Sequence, residues 1–429
     1  MTENWLESLL TEVRFYFTRL NERLWVRPLT YCLSAVACVL LARFADLKGA
    51  DWPTPSVEPE MVEKLLTILS TSMLAVATFA VSSMVAAYAS ASTSATPRAF
   101  SVVVADDVSK TALSSFIGAF IFSVVGVIAV KTGYFGRSGL FVLFLMTLSL
   151  FAWVVLTFIR WVDRIARLGR MGHTIRKVEG ATSAALNFWG DNPNLGGVPA
   201  QDRAYPGEPV TIGRIGFVQM VDMPALQEFA ETHDATITVA SLPGTFMTRE
   251  RPAAFVRFNK EMEETPGTDE IGEAFITGDE RTFTADPRFG FVVLSEISSR
   301  AMSPAVNDPG TAIEVIGSIT RLLSDWAGRR REERPKPQFD RVFAPNVSVS
   351  ALFDDAFMAI SRDGAGFIEV GLKLQRAFAA LDATDDEAVR REVRLHAAEA
   401  AKRAEKALAY ESDRVRLKAA MMAGPSPDQ

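Results

Sequence analysis

The chain is poor in the residues that build most catalytic and metal sites. It holds two cysteines and three histidines among 429 residues. Cys32 and Cys38 stand close together in one apolar stretch, on different faces of any helix they share, so they cannot bridge. The absence of a disulfide framework fits a soluble part that faces a reducing compartment. His173, His233 and His396 are isolated, which leaves metal ligation poorly supplied. Glycine-rich phosphate loops, paired cysteines, His-Glu-x-x-His and a nucleophile elbow are all missing. No catalytic residue, metal or cofactor is expected, and no enzymatic activity. An excess of basic charge is missing too: the net charge is −6, which gives no case for nucleic acid.

Charge is also missing from long runs, and this is the most informative absence. No charged residue falls between Lys110 and Lys131, or between Arg137 and Arg160. Four apolar spans, over 28–44, 65–88, 111–131 and 140–159, approach the ~20 residues that cross a ~30 Å hydrocarbon core. A soluble core helix would need a polar face, and the last two spans have none. No Asp, Glu, Arg or Lys lies deep in any span, which argues against a proton-coupled transporter or a strongly charged filter. The expected fold is therefore an integral membrane, α-helical four-span bundle, with a cytoplasmic α+β region after it.

Basic residues near the span ends set the orientation. Arg14, Arg19, Arg23 and Arg27 precede the first span, and Arg160, Arg164, Arg167, Arg170, Arg176 and Lys177 follow the fourth. The loop after the first span is acidic, with Asp46, Asp51, Glu58, Glu60 and Glu63. Both termini are thus expected in the cytoplasm of a bacterial inner membrane, with no cleaved signal peptide. An amphipathic helix over 1–27 precedes the four-span domain over 28–170. Span two should run on until Pro97 stops it, because a mid-helix proline loses a hydrogen bond and clashes with the preceding turn. Span four should continue to about Arg170.

The remainder divides into a helix and linker over 171–208, a small β-rich domain over 209–268 and a helical domain over 269–423, with a disordered tail over 424–429. Strands are expected over 209–221, 235–242 and 253–258, forming a compact barrel or sandwich. A helix over 223–231 starts at Asp222 as N-cap, and Pro243-Gly244-Thr245-Phe246-Met247 turns into a further strand. Helices are expected over 270–277, 287–300, 309–326, 349–361, 365–380 and 387–422, the last opened by a Thr384–Glu387 capping box.

Two groups of residues are candidate sites. Thr67, Thr71, Thr78 and Ser82 line one face of span two, continued by Ser90 and Thr93. Small hydroxyl residues serve close helix packing, or, when several copies face one axis, a water-lined path. Asp106, Asp107 and Lys110 before span three form either a polar vestibule or a solvated loop. The second group is Arg281, Asp286, Glu296, Arg300, Ser303, Asn307 and Asp308. Ser303-Pro304 and Asp308-Pro309 both read as helix starts, which makes a rigid corner. Helix N-termini with Asn and Asp oxygens there also suit an ion or small ligand, and a subunit contact is the third reading.

Thr96-Pro97-Arg98-Ala99-Phe100, the Gly216-Phe217-Val218-Gln219 strand, Asp286-Pro287-Arg288-Phe289-Gly290-Phe291 and the run from Ser299 to Ala312, Ser-Arg-Ala-Met-Ser-Pro-Ala-Val-Asn-Asp-Pro-Gly-Thr-Ala, are the chain's most distinctive words. With four spans they resemble the bacterial predicted membrane proteins of domain-of-unknown-function family 2254, from about Arg14 to Ala380. The resemblance implies architecture and little chemistry. The functional expectation is an oligomeric, channel-like or transport protein, a homo-oligomer in the lipid bilayer with a cytoplasmic regulatory domain and an ion or small ligand as partner. The alternative is a non-transporting scaffold or sensor that binds protein partners through its cytoplasmic domain.

Overall fold

The computed structural model describes residues 26–48, 55–94, 96–99, 102, 107–168, 170–200, 206–259, 266–330 and 335–422. Nearly all of the amphipathic segment over 1–27, Asp106 and the tail over 424–429 lie outside the described residues. The chain forms two compact units: one carries the four long helices, the other holds Ala95–Ala99 and everything from Thr174 onward.

The first unit consists of α1 (Val26–Lys48), α2 (Pro59–Ser94), α3 (Asp107–Lys131) and α4 (Arg137–Leu168). All four contain a stretch long and apolar enough to cross a membrane. Helix α2 stops three residues before Pro97, and α4 runs through its basic end. Helix α3 is the centre, packing on the other three. Its small residues make that possible: a Cβ on Gly118 would stand 3.1 Å from the Tyr31 Cβ, and one on Gly126 would stand 3.0 Å from Leu66 Cδ1. Ser114, Ser115 and Ser123 of α3 are buried in the same contacts. Helix α2 gives the core Leu66, Leu69, Met73, Ala77, Ala80 and Met84, the i, i+3, i+4 spacing of one helical face. At one end Asp46 accepts hydrogen bonds from the Gly136 and Gly139 amides, at 2.8 and 2.7 Å, and so caps the start of α4.

The second unit begins with α5 (Met171–Asp191), which continues into the stretch expected to be linker and leads to the short strand β1 (Gly197–Pro199). The run over 209–221 is two strands, β2 (Glu208–Thr211) and β3 (Gly216–Val221), in different sheets. Gly213 and Gly216, at φ +62° and +154°, turn the chain between them. Helix α6 (Met223–Thr232) starts at Asp222, whose carboxylate accepts the Ala225 amide at 3.1 Å. Then come β4 (Ala235–Val239), β5 (Phe246–Met247) and β6 (Pro252–Phe258). The helix expected over 270–277 is one turn, α7 (Asp269–Glu273), followed by strand β7 (Phe275–Gly278), where Phe, Ile and Thr pair with β3 instead.

Next are α8 (Pro287–Ala301), α9 (Pro309–Arg329), β8 (Phe339–Ala344), α10 (Val349–Asp363), α11 (Ile368–Asp382), α12 (Glu387–Ala407) and α13 (Glu411–Met422). The expected helix over 387–422 breaks at Leu408, whose extended ψ of 122° ends α12. Its N-cap is Asp386, accepting from Ala388 and Val389, rather than Thr384. Strand β8 had no counterpart in the sequence reading. It lies between β1 and β4, parallel to both, in a sheet of order β1-β8-β4-β6-β2, with β6 and β2 antiparallel. A second sheet has the order β5-β3-β7. The β structure therefore extends beyond the expected span of 209–268 on both sides and is a pair of sheets, one of them mixed, rather than a closed barrel. Phe291, Phe353, Phe357 and Phe378 are fully buried among the helices, each contributing about 1.5–3 kcal/mol.

Candidate functional site

Thr67, Thr71, Thr78 and Ser82 all lie on the exposed face of α2, opposite the face that fills the bundle. Each hydroxyl donates to the carbonyl four residues back: Thr67 to Glu63 at 2.8 Å, Thr71 to Thr67 at 3.0 Å, Thr78 to Leu74 at 2.9 Å and Ser82 to Thr78 at 3.0 Å. Ser72 is exposed beside them. Large apolar side chains are exposed among these hydroxyls, Ile68, Leu74, Phe79, Val81 and Val85, whereas the outward surface of α4 presents Leu145, Leu148, Phe151, Trp153, Leu156 and Ile159, as suits contact with lipid chains. Lys110, expected near a vestibule, is buried.

The second candidate group is spread along α8 rather than gathered in one corner. Asp286 caps its start, accepting the Phe289 amide at 3.1 Å, and takes both arms of Arg281, Nε at 2.7 Å and Nη2 at 3.0 Å. Only 3 % of Asp286 is exposed, and burial pushes its carboxyl above the usual range against the opposing bonds from Arg281. The Pro243-Gly244 turn makes room for it, because a Cβ on Gly244 would fall 2.2 Å from Asp286 Oδ2. Gly244 also has φ +90°, a conformation that excludes most side chains.

Glu296, midway along α8, accepts from Thr96 at 2.9 Å and forms an ion pair with Arg98 at 2.5 Å. The Thr96-Pro97-Arg98 word that follows α2 is thereby tied to α8, with Thr96 and Ala99 buried. Arg300 is exposed at the far end. With 15 residues in α8, the Asp286 and Ser303 ends stand roughly 22 Å apart.

Ser303-Pro304 does not start a helix. It opens a tight turn in which the Val306 and Asn307 amides both bond the Ser303 carbonyl, at 3.0 and 2.8 Å. Asn307 sits at φ +52°, which reverses the chain so that Asp308 becomes the N-cap of α9. Asp308 accepts the Thr311 amide at 3.1 Å and its hydroxyl at 2.6 Å, and those bonds hold its carboxyl below the usual range. Of the seven residues, the structure brings together Arg281 with Asp286, and Ser303 with Asn307 and Asp308. Among the described residues no group of three or more His, Cys, Asp and Glu could hold a metal.

A bundle of four apolar helices joined to a helical and β-rich unit defines a membrane protein class, and comparison with known sequences agrees. The family model for predicted membrane proteins DUF2254 matches residues 21–380, and the chain belongs to that family. It is similar to the uncharacterized protein MT1328 of Mycobacterium tuberculosis, 31% identical over 124 residues, 28% of this chain and 24% of that one. Mb1321c of Mycobacterium bovis, also uncharacterized, is 30% identical over 124 residues, with the same coverage of both chains. The match thus spans about a quarter of these curated relatives' length. No solved structure matches.

Proposed function

We propose that the chain is an oligomeric, channel-like or transport protein of the bacterial inner membrane. Several α2 helices face a common axis there, and Thr67, Thr71, Thr78 and Ser82 line a hydrated path between them. The second unit lies in the cytoplasm and regulates that path, and both chain termini are cytoplasmic. One observation carries this reading: Thr67, Thr71, Thr78 and Ser82 of α2 are left uncovered by the bundle, interspersed with exposed apolar residues such as Leu74 and Phe79, while the same bundle buries Ser114, Ser115 and Ser123 of α3. A water-lined path between copies would give that face a use, because each hydroxyl keeps an acceptor site for water after donating to its own helix. Support for regulation comes from the bonds of Glu296 to Thr96 and Arg98, which hold the segment that follows α2 in the chain against α8 within the second unit.

The non-transporting scaffold has its own support. Hydroxyls satisfied by their own helix carbonyls can sit in lipid at little cost. Crosslinking separates the two. In a background with Cys32→Ser and Cys38→Ser, Thr78→Cys should form a disulfide between copies in the membrane, while Leu148→Cys on α4 should not. Crosslinking through Leu148→Cys alone, or through neither, counts against the pore.

A further inference from the structure

Within the second unit, the Pro243–Phe246 turn, Arg251, the start of α8 and the approach to α10 line a half-open cavity of about 340 Å³. That lies at the low end of small-molecule sites, which span about 300–1,000 Å³. Its charge is one-sided. Arg251, Arg281 and Arg288 line it, against the single carboxylate of Asp286. Both Asp286 oxygens are already held by Arg281, so that pair is neutralised and shields the cavity from the acid.

The other two guanidiniums keep donors to spare. Arg288 is ion-paired through Nε with Asp355 at 2.7 Å, so its charge too is balanced, while Arg251 gives one N–H to the Phe246 carbonyl at 3.3 Å and supplies the excess positive charge. An arginine carries five N–H donors, so both retain the forked edge that recognises an oxyanion. The starts of α8 and α10 add the positive ends of two helices. Phe246 offers an apolar ring at the rim, 46% exposed.

We propose that this cavity binds a small organic oxyanion, a phosphate or carboxylate held between Arg251 and Arg288, with its apolar portion against Phe246. Calorimetry on the purified full-length chain in detergent tests it, with phosphate, pyrophosphate, AMP and citrate as probes and adenosine as the uncharged control. At least one anion should bind with Kd below about 1 mM, and AMP should bind better than adenosine. Which probes bind separates phosphate from carboxylate recognition.

Arg251→Ala and Arg288→Ala should each weaken binding about tenfold, the loss of a charge-assisted hydrogen bond. Arg288→Lys, which keeps the charge but not the fork, should fall between. Thermal unfolding of each variant shows whether the fold is kept, and Arg251→Ala, at an exposed residue with no ion pair among the described residues, is the variant expected to leave it intact. Binding of no anion, equal binding of adenosine and AMP, or undiminished binding by Arg251→Ala would overturn the proposal.

Discussion

Helices α2 and α3 carry the same small hydroxyl residues and use them in opposite ways. In α3, Ser114, Ser115 and Ser123 are buried, and Gly118 and Gly126 bring Tyr31 and Leu66 within 3.1 and 3.0 Å of where a Cβ would sit. There smallness is the point, since close approach is what holds helices together where lipid removes the hydrophobic drive between them. In α2, Thr67, Thr71, Thr78 and Ser82 lie on the side that the bundle leaves open, while Ala77 and Ala80 supply the smallness needed inside. The difference teaches that residue type alone does not assign a membrane hydroxyl to packing; the face it shares does. Outside the bundle Asp286 and Asp308 repeat the contrast. Each precedes a proline and caps a helix, yet one is buried against Arg281 and the other is exposed.

Substitutions can break or sharpen both contrasts. The largest effect is expected for Asp286→Ala, which removes a cap and strands the Arg281 guanidinium, at a cost of about 2–4 kcal/mol. Gly118→Leu should cost roughly 1–3 kcal/mol or more by forcing α1 away from α3, seen as a lower unfolding temperature in detergent. Asp308→Ala loses only an exposed cap and should cost about 0.5–2 kcal/mol. Thr78→Ser keeps the hydroxyl and the open face, so its effect should stay within about 0.5 kcal/mol. A Thr78→Ser penalty as large as that of Gly118→Leu would erase the distinction between the two helices.

The two caps should also respond to pH with opposite sign. Thr311 holds the Asp308 carboxyl below its ordinary 3.8, so its contribution is present above that value and lost as pH falls through the lowered pKa. The stability gap between the native chain and Asp308→Ala should therefore shrink on acidification. Burial raises Asp286 instead, so the folded state takes up its proton more readily than the unfolded chain. That gap should widen as pH falls from the raised pKa toward 3.8. Denaturant unfolding between about pH 3 and 7 compares the slopes; equal slopes would mean that burial does not distinguish the two caps.

What the sequence revealed was local. Apolar length and missing charge mark the four long helices, and Pro97 and Pro309 mark a helix end and a helix start. Strand β8 escaped because its partners β1 and β4 pair with it across more than a hundred residues, and a parallel strand carries no turn signal to either neighbour. Ser303-Pro304 has the composition of a helix start, but Asn307 at φ +52° moves the start to Asp308. Arg281 and Asp286 were visible as candidates. Arg251 and Phe246, which complete the cavity beside them, come from a separate β segment that nothing in the local pattern joins to α8.

The hydrated face of α2 is the central claim, and ion flux into liposomes tests it most directly. Native chain, Thr78→Phe, Thr78→Ser and, on the apolar surface of α4, Leu148→Phe should be reconstituted at equal density, with the oligomer of each checked in detergent. The account predicts flux from the native chain, Thr78→Ser and Leu148→Phe. It predicts loss of flux for Thr78→Phe with the oligomer intact, because an apolar constriction dries a narrow path. Undiminished flux with Phe at position 78, or no flux from the native chain, would contradict it.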